Sequence, residues 1–276
     1  TTASGVRDSL RSIALIGSRA IVVGGHGTIL ETNDQGLTWT RKPSGYTGNL
    51  NCIKFRGANK GLIVGENGLI LRTENGGSSW SKVFSDSAKY SFIHSVDWAD
   101  DTTVMAVGKY VFYRSTDGGL SWSKNSVSYP SQAGGNFKSI YFLNPLVGYI
   151  GGFFLTFSSP RGSVLWTEDG GQSWKTQDSI TSLASKYRKN SQPIIYDFLA
   201  VSPNKIYAVG LDFVENKTPL ILSTSDGGLN WEFKMNLKNG RIIEYLPNRL
   251  YYPASGYDDI SFVDDDHSFT KRFHFL

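Results

Sequence analysis

One eight-residue pattern recurs five times along the chain and constrains the fold more than any other feature. It reads Ser/Thr-x-Asp-x-Gly-x-Ser/Thr-Trp, with Asn75 replacing the aspartate in the second copy and Asn230 replacing the hydroxyl residue in the fifth. The closing tryptophans are 41, 42, 52 and 57 residues apart. Self-similarity at such a period predicts stacked supersecondary units. The third-position residues and closing tryptophans are Asp34, Trp39, Asn75, Trp80, Asp117, Trp122, Asp169, Trp174, Asp226 and Trp231.

A second motif precedes the boxes and reads as strand, glycine turn, strand. It appears as "VGGHGTIL" (23–30), "VGENGLIL" (64–71), "VGKYVFY" (107–113) and "AVGLDF" (208–213). Apolar strands such as "LNCIKFRG" come before it. One unit therefore has four strands, A to D, with the box at the C–D turn. This is the pattern of a β-propeller blade, so we predict an all-β fold of four-stranded antiparallel blades.

The five boxes resemble Asp boxes, and the chain resembles the Asp-box (BNR-repeat) β-propeller proteins from about residue 12 to its end. Units such as "VGENGLILRTENGGSSWSKV" (64–83) are most similar to those of the photosystem II assembly and stability factor family. The resemblance implies a non-enzymatic propeller on the lumenal or periplasmic side that holds membrane-protein intermediates, with a basic patch on one face. It rests on blade-building residues and transfers no site residue.

We predict a single domain over residues 1–276 with six blades, because six blades give 46 residues each. The alternative of seven blades would need about 320 residues at this repeat length. The last blade lacks a full box and carries "VDDDHSF" in its place. The six blades are expected at about residues 12–44, 49–84, 91–127, 137–178, 194–236 and 240–276.

The boxes themselves are expected to be structural. A calcium loop needs several oxygen ligands at alternate positions, whereas the box "STDGGLSW" offers one carboxylate, which can accept bonds from its own turn. The four histidines show no metal-ligand spacing, the one cysteine (Cys52) lies in an apolar run, and no dinucleotide or nucleic-acid motif appears. No run approaches a transmembrane span, and "TTASGVRDSL" is no signal peptide. We expect no metal and no cofactor.

Charge and loop length point to the face opposite the boxes. The five D–A connectors together carry a net charge of +9, against +4 for the whole chain. The long insertions at 152–163, 175–194 and 211–219 fall on the same face, where an anionic partner would be steered. A solvated rim and tyrosines that pack between blades remain open alternatives. The candidate partner-binding residues are Tyr46, Tyr90, Tyr129, Arg161, Lys186, Tyr187, Arg188 and Lys189, the last four in a segment with helical spacing.

Enzyme chemistry finds less support in the sequence. The Arg-Ile-Pro motif that opens the arginine cluster of Asp-box sialidases is missing. A glycosidase would need two facing carboxylates, for which Asp197 and Glu244 are the weak candidates, with Asp97 third.

The sequence therefore favours a non-enzymatic, protein-binding scaffold of the assembly-factor type that is secreted, periplasmic or lumenal. Its partner would have an acidic surface and could belong to a membrane-protein complex. The alternative is a carbohydrate-active protein, either a glycan-binding module or a divergent glycosidase.

Overall fold

The computed structural model describes residues 7–86, 91–124, 135–155, 160–176, 193–212, 218–236, 259–263 and 268–272. Within these ranges there is no α-helix, and the strands form antiparallel four-stranded groups plus one strand pair. The prediction of an all-β fold made of four-stranded antiparallel sheets is confirmed. The helical spacing predicted near residues 179–189 lies outside the described residues.

Each of the five groups, called sheets 1 to 5, pairs its strands in chain order. Sheet 1 contains β1 (Leu10–Ile16), β2 (Arg19–Gly24), β3 (Ile29–Thr32) and β4 (Thr40–Lys42). Sheet 2 contains β5 (Leu50–Arg56), β6 (Lys60–Gly65), β7 (Ile70–Thr73) and β8 (Ser81–Phe84). Sheet 3 contains β9 (Phe92–Trp98), β10 (Val104–Lys109), β11 (Phe112–Ser115) and β12 (Ser123–Lys124).

Sheets 4 and 5 continue the pattern with longer strands. Sheet 4 contains β13 (Gly135–Phe142), β14 (Gly148–Leu155), β15 (Pro160–Thr167) and β16 (Lys175–Thr176). Sheet 5 contains β17 (Pro193–Ala200), β18 (Ile206–Asp212), β19 (Thr218–Thr224) and β20 (Glu232–Asn236). A further antiparallel pair joins β21 (Asp259–Val263) to β22 (Ser268–Arg272).

The first strand of each sheet lies beside the first strand of the next, so β1, β5, β9, β13 and β17 form a row of inner strands. We call the end of the sheets with the boxes and the A–B turns the box end. The opposite end, with the B–C turns and the D–A connectors, is the connector end. Sheets 3 and 4 are additionally joined by one backbone pair, Lys109 with Asn136, at the connector end.

Four apolar clusters form the core, and each fills the space between two neighbouring sheets. Ile21 of sheet 1, for example, packs with Ile53 and Ile63 of sheet 2, all at 1% exposure or less. The Val/Ile/Leu-rich strands are buried on both faces because a sheet lies on each side. Stability is therefore shared among blade-to-blade interfaces, as in other repeat folds.

The side of β1 that faces away from sheet 2 is not covered in this way. Ile13 is 54% exposed and Leu15 is 65% exposed. The residues that occupy the position of Ile13 in the other inner strands are almost fully buried against the preceding sheet. They are Ile53 at 1%, Val96 at 0%, Ile140 at 3% and Phe198 at 6%.

Each box is a small hydrogen-bonded turn. In the third box the Asp117 carboxylate accepts bonds from the Ser115 hydroxyl at 2.7 Å and the Ser121 N–H at 2.9 Å. The Gly118 N–H then donates to the carbonyl of Thr102 in the A–B turn at 2.7 Å. These bonds lower the pKa of Asp117 to about 2, with the Ser121 hydroxyl as the largest contribution. The box ties strand C to strand D and to the neighbouring turn, a structural role.

Candidate functional site

A β-bulge interrupts every inner strand near the connector end, at the second residue of β1 and β5, the third of β9 and the fourth of β13 and β17. Pairing with the second strand skips one residue in each case. A bulge re-aims the extra side chain, so the skipped residues are presented at the inner edge of the sheets. The five bulge residues are Arg11, Asn51, His94, Lys138 and Tyr196.

A glycine on the second strand faces each bulge, and it explains the "VG" motif. The sequence pattern reads as a glycine turn, but Gly108 lies inside strand β10, opposite Ile93. The bulge brings the inner-strand backbone so close that a β-carbon on Gly108 would lie 1.8 Å from the Phe92 carbonyl oxygen. The same carbonyl approach is 2.2 Å at Gly24, 2.3 Å at Gly65, 2.5 Å at Gly152 and 2.0 Å at Gly210.

Hydrogen bonds link the first three bulges across the sheets. The Arg11 guanidinium donates to the Asn51 side-chain oxygen at 3.0 Å. The Asn51 side-chain nitrogen donates to the Ile93 carbonyl at 2.8 Å, one residue before His94. These two bonds connect Arg11 of sheet 1, through Asn51 of sheet 2, to β9 of sheet 3. The guanidinium has five N–H donors, and the bond to Asn51 uses one of them.

Three cations act electrostatically on His94. Burial, together with the charges of Lys138, Arg11 and Lys109, lowers the pKa of His94 to about 3, and the Asn136 side chain opposes the shift. His94 is therefore neutral at pH 7. Burial, followed by the charge of Lys109, also lowers the pKa of Lys138. We call Arg11, His94, Lys109 and Lys138 the mouth cluster.

The B–C turn of sheet 3 places an aromatic side chain beside this cluster. Tyr110 is 48% exposed and has a left-handed backbone, with φ 60°. The Lys109 ammonium lies 5.6 Å from the centre of its ring, a cation–π distance. His26 and Asn67 occupy the equivalent turn position in sheets 1 and 2 with similar φ values. A bulky residue in this conformation is uncommon and often marks a site of function.

Two described acidic groups at the connector end, Asp8 and Glu66, are bound internally. Asp8 accepts bonds from the Thr28 hydroxyl at 2.6 Å and from His26 Nδ1 at 2.8 Å, contacts that lower its pKa. Glu66 accepts from the Asn49 side chain at 2.6 Å. Among the described residues no carboxylate forms an ion pair with Arg11, Lys109 or Lys138. These three cations therefore have no carboxylate ion-pair partner within the part of the chain that the structure describes.

A second polar group lies deeper along the inner strands, towards the box end. The Lys54 ammonium is 3.8 Å from the Asp97 carboxylate, whose other oxygen accepts the Phe142 N–H at 2.8 Å. The charge of Asp97 raises the pKa of Lys54 well above its ordinary value, with Asp197 acting in the same direction. Asp97 therefore links sheets 2, 3 and 4, which is a structural use of this candidate carboxylate.

Most of the predicted site residues fall outside the described part of the chain. Tyr90, Tyr129, Lys186, Tyr187, Arg188, Lys189 and Glu244 are in this group, and Arg161 lies in β15 with only its backbone described. Tyr46 is half-buried, and its hydroxyl donates to the Glu66 carbonyl at 2.9 Å. It therefore packs sheet 1 against the B–C turn of sheet 2. Asp197 is on β17, and its separation from Glu244 stays untested.

The structure brings together residues that the sequence patterns did not single out. The bulges share one register, so they place Arg11, His94 and Lys138 at the same level of the fold although these residues are far apart in the chain. The available signal was the glycine at or near the end of the second strand in the "VG" motif, since it marks the bulge opposite. No cluster of three or more metal-ligating side chains occurs within the described ranges.

Two family models match the chain. The model described as photosynthesis system II assembly factor YCF48 matches residues 12–89, and the BNR/Asp-box repeat model matches residues 113–124. The resemblance to Asp-box proteins of this kind is therefore confirmed, over less than half of the chain. A search of curated protein sequences found no match.

Solved structures match with low sequence identity. A GH74 enzyme from Niastella koreensis has a TM-score of 0.62 at 14% identity, covering 82% of this chain and 38% of that one. YCF48 from Cyanidioschyzon merolae has a TM-score of 0.46 at 16% identity, with 83% and 86% covered. YCF48 bound to a D1 peptide has a TM-score of 0.43 at 17% identity, with 83% of each covered. The GH74 match shows the propeller-like fold alone, and this chain spans well under half of that enzyme.

Proposed function

We propose that the protein is a non-catalytic, protein-binding propeller of the assembly-factor type that holds an acidic segment of its partner at the connector end. The observation that supports the proposal is that the described cations at this end have no described carboxylate ion-pair partner, whereas the described acids are bound internally. Asp8 and Glu66 are bound internally, while Lys109 and Arg11 have no described carboxylate partner. Such a field raises the association rate of an anionic partner and is screened by salt.

The family match supports the same function. The model that matches residues 12–89 describes assembly factors, and these residues span sheets 1 and 2 with their two boxes. The proposal includes a partner within a membrane-protein complex and a lumenal, periplasmic or secreted location. Within the described residues no helix is long and apolar enough to cross a membrane.

The proposal also includes a ring of six blades closed by residues 240–276. Ile13 and Leu15 on β1 are exposed, whereas their equivalents in sheets 2 to 5 are covered by the preceding sheet. An apolar sheet face of this kind gains from burial by about 25 cal/mol per Å². The strand pair β21–β22 belongs to the segment that would cover it, and seven blades remain the alternative.

A carbohydrate-active protein is the second candidate. Asp97 and Asp197 both act electrostatically on Lys54, so two carboxylates lie near one another on the inner strands. Asp97 is bound to Lys54 and to the Phe142 N–H, which favours a structural role. Activity on polysaccharides that is lost in Asp197→Asn, while the unfolding midpoint is unchanged, would establish this candidate instead.

A crosslinking capture experiment tests the proposed function. Envelope extract is incubated with wild type, with a Lys186→Glu, Arg188→Glu, Lys189→Glu variant and with a Lys60→Glu, Lys205→Glu control at the box end. We expect one discrete protein to be captured by wild type and control, and its capture to fall at high salt and in the triple variant. Equal capture by all three forms, or none by the wild type, would refute the proposal.

A further inference from the structure

The mouth cluster gathers cationic side chains from four strands that belong to three sheets. Arg11 comes from β1, His94 from β9, Lys109 from β10 and Lys138 from β13. Three of them are Arg or Lys side chains, and the fourth, His94, is a neutral imidazole at pH 7 with one N–H donor. Such a group has many donors and few acceptors, which is the composition of an anion site.

Backbone contacts hold these side chains near one another. The Lys109–Asn136 backbone pair fixes the end of β10 beside the start of β13, two residues before Lys138. The hydrogen bonds from Arg11 through Asn51 to the Ile93 carbonyl connect the guanidinium to the residue before His94, and its charge acts on His94. Lys138 Nζ lies 5.8 Å from the Phe153 ring centre, so its chain is supported on an aromatic surface.

Among the described residues no acidic side chain forms an ion pair with the cluster. Neither residues 87–94 nor residues 125–138, which lead into β9 and β13, contain an Asp or a Glu. Asp86, the nearest acid before them, accepts hydrogen bonds from the Tyr113 hydroxyl at 2.5 Å and from Ser91 at 3.0 Å. The repulsion among Arg11, Lys109 and Lys138 is thus relieved by no described carboxylate.

We propose that the mouth cluster binds an oxyanion group, a carboxylate or a sulfate- or phosphate-like group, and that His94 takes up a proton from solvent when the anion binds. An anion placed among these residues reverses the local field. The field of Lys138, Arg11 and Lys109 disfavours the imidazolium in the empty site, and the anion favours it. Once protonated, His94 donates from both ring nitrogens.

The linkage gives a definite dependence on pH. The pKa of His94 is about 3 in the empty site, so the imidazole is neutral from pH 4 upwards. If the anion raises this pKa, affinity must increase as pH falls, by up to about 10-fold per pH unit between the bound and free pKa values. The charged groups that act on His94 from the neighbouring strands are Arg11, Lys109 and Lys138.

Sodium sulfate and sodium acetate are the two probes, added at constant ionic strength with chloride as the balancing ion. Sulfate does not titrate between pH 4 and 8, so any pH dependence belongs to the protein. Imidazole resonances followed by NMR give the affinity and the protonation state of His94. We expect saturable binding that tightens at least 5-fold from pH 7 to pH 5. The ratio of sulfate to acetate affinity then shows which oxyanion the site prefers.

Matched variants separate the site from general surface charge. Lys138→Gln and Arg11→Gln should each weaken sulfate binding about 10-fold, whereas Lys205→Gln should leave it unchanged. Lys205 is a suitable control because its ammonium also lies over an aromatic ring, 5.7 Å from the centre of Tyr207. His94→Gln should retain binding and lose its pH dependence.

Three results would overturn the proposal: no saturable shift of His94 with either anion, the same affinity in Lys138→Gln as in wild type, or pH dependence that persists in His94→Gln. The proposal deepens the proposed function by naming the chemical group that the inner part of the connector end recognises. Its test needs no partner protein, and the capture experiment alters none of these four residues. Failure of one therefore leaves the other standing.

Discussion

At the box end of the sheets the same hydrogen bonds are repeated from blade to blade, whereas at the connector end one position changes in every blade. Thr32, Thr73, Ser115, Thr167 and Thr224 each donate a side-chain bond to the third-position residue of their box. The bulge position, in contrast, is Arg11, Asn51, His94, Lys138 or Tyr196.

The difference separates folding from recognition along a single strand. Box residues form hydrogen bonds within their own turn, so each must keep its donor and acceptor groups for the turn between strands C and D to form. The bulge residues are positioned by the backbone and by a glycine on the neighbouring strand, so their side chains can differ without cost to the sheet. The predictions below test whether substitutions at the box end and at the connector end differ in their effect on the free energy of unfolding.

The largest effect is expected at the glycine that allows a bulge. Gly108→Ala would place a β-carbon 1.8 Å from the Phe92 carbonyl oxygen, and the backbone cannot yield without losing the bulge. We expect a loss of about 4 kcal/mol in the free energy of unfolding, measured with urea. Gly57→Ala at the box end is the control, because nothing lies within 4 Å and only its left-handed φ of 65° matters. Equal losses in both would show that the close approach is not limiting.

The next effect is expected at a box aspartate. Asp117→Ala removes the acceptor for the Ser115 hydroxyl and the Ser121 N–H and should cost about 2 kcal/mol. Asp117→Asn should cost less than about 1 kcal/mol, since Asn75 makes the corresponding bonds in the second box. Urea unfolding of both variants measures the two costs. A loss as large for asparagine as for alanine would mean that charge, rather than bonding pattern, holds the box.

The contribution of the Asp117 charge to the free energy of unfolding should change only at acidic pH. Hydrogen bonds, above all from the Ser121 hydroxyl, lower its pKa to about 2, against an ordinary value of 3.8. A lowered carboxyl pKa stabilises the folded state above pH 4, and this contribution is lost as pH falls from about 4 to 2. The stability difference between wild type and Asp117→Asn should therefore change in that interval in unfolding experiments from pH 2 to 6. A difference that is constant with pH would contradict the assignment.

The smallest effect is expected at the mouth cluster. Burial lowers the pKa of Lys138, so its charged form is disfavoured in the folded protein at pH 7. Lys138→Met should leave the free energy of unfolding unchanged or raise it by less than about 1 kcal/mol, with the gain shrinking as pH rises towards the lysine pKa. Chemical denaturation at pH 7 and pH 10 checks this. A clear destabilisation would assign Lys138 to folding instead of binding.

The two ends also differ in how far the sequence revealed them. Box residues are close together in the chain, so the spacing from Thr32 to Trp39 predicted the turn and the four-stranded unit. The mouth cluster depends on register between strands. Nothing local in "NFKSIYF" shows that Lys138 is an extra, unpaired residue beside His94. Likewise, "VGKYVFY" predicted a glycine turn, while the left-handed position is occupied by Tyr110.

The bulge with its facing glycine also has a consequence for how such a protein can acquire new specificity. The side chains at the five bulge positions can vary because the backbone of each bulge depends on a glycine of the second strand. These glycines are Gly24, Gly65, Gly108, Gly152 and Gly210. Positions 11, 51, 94, 138 and 196 can therefore be varied one blade at a time while these glycines keep the backbone of the bulge in place.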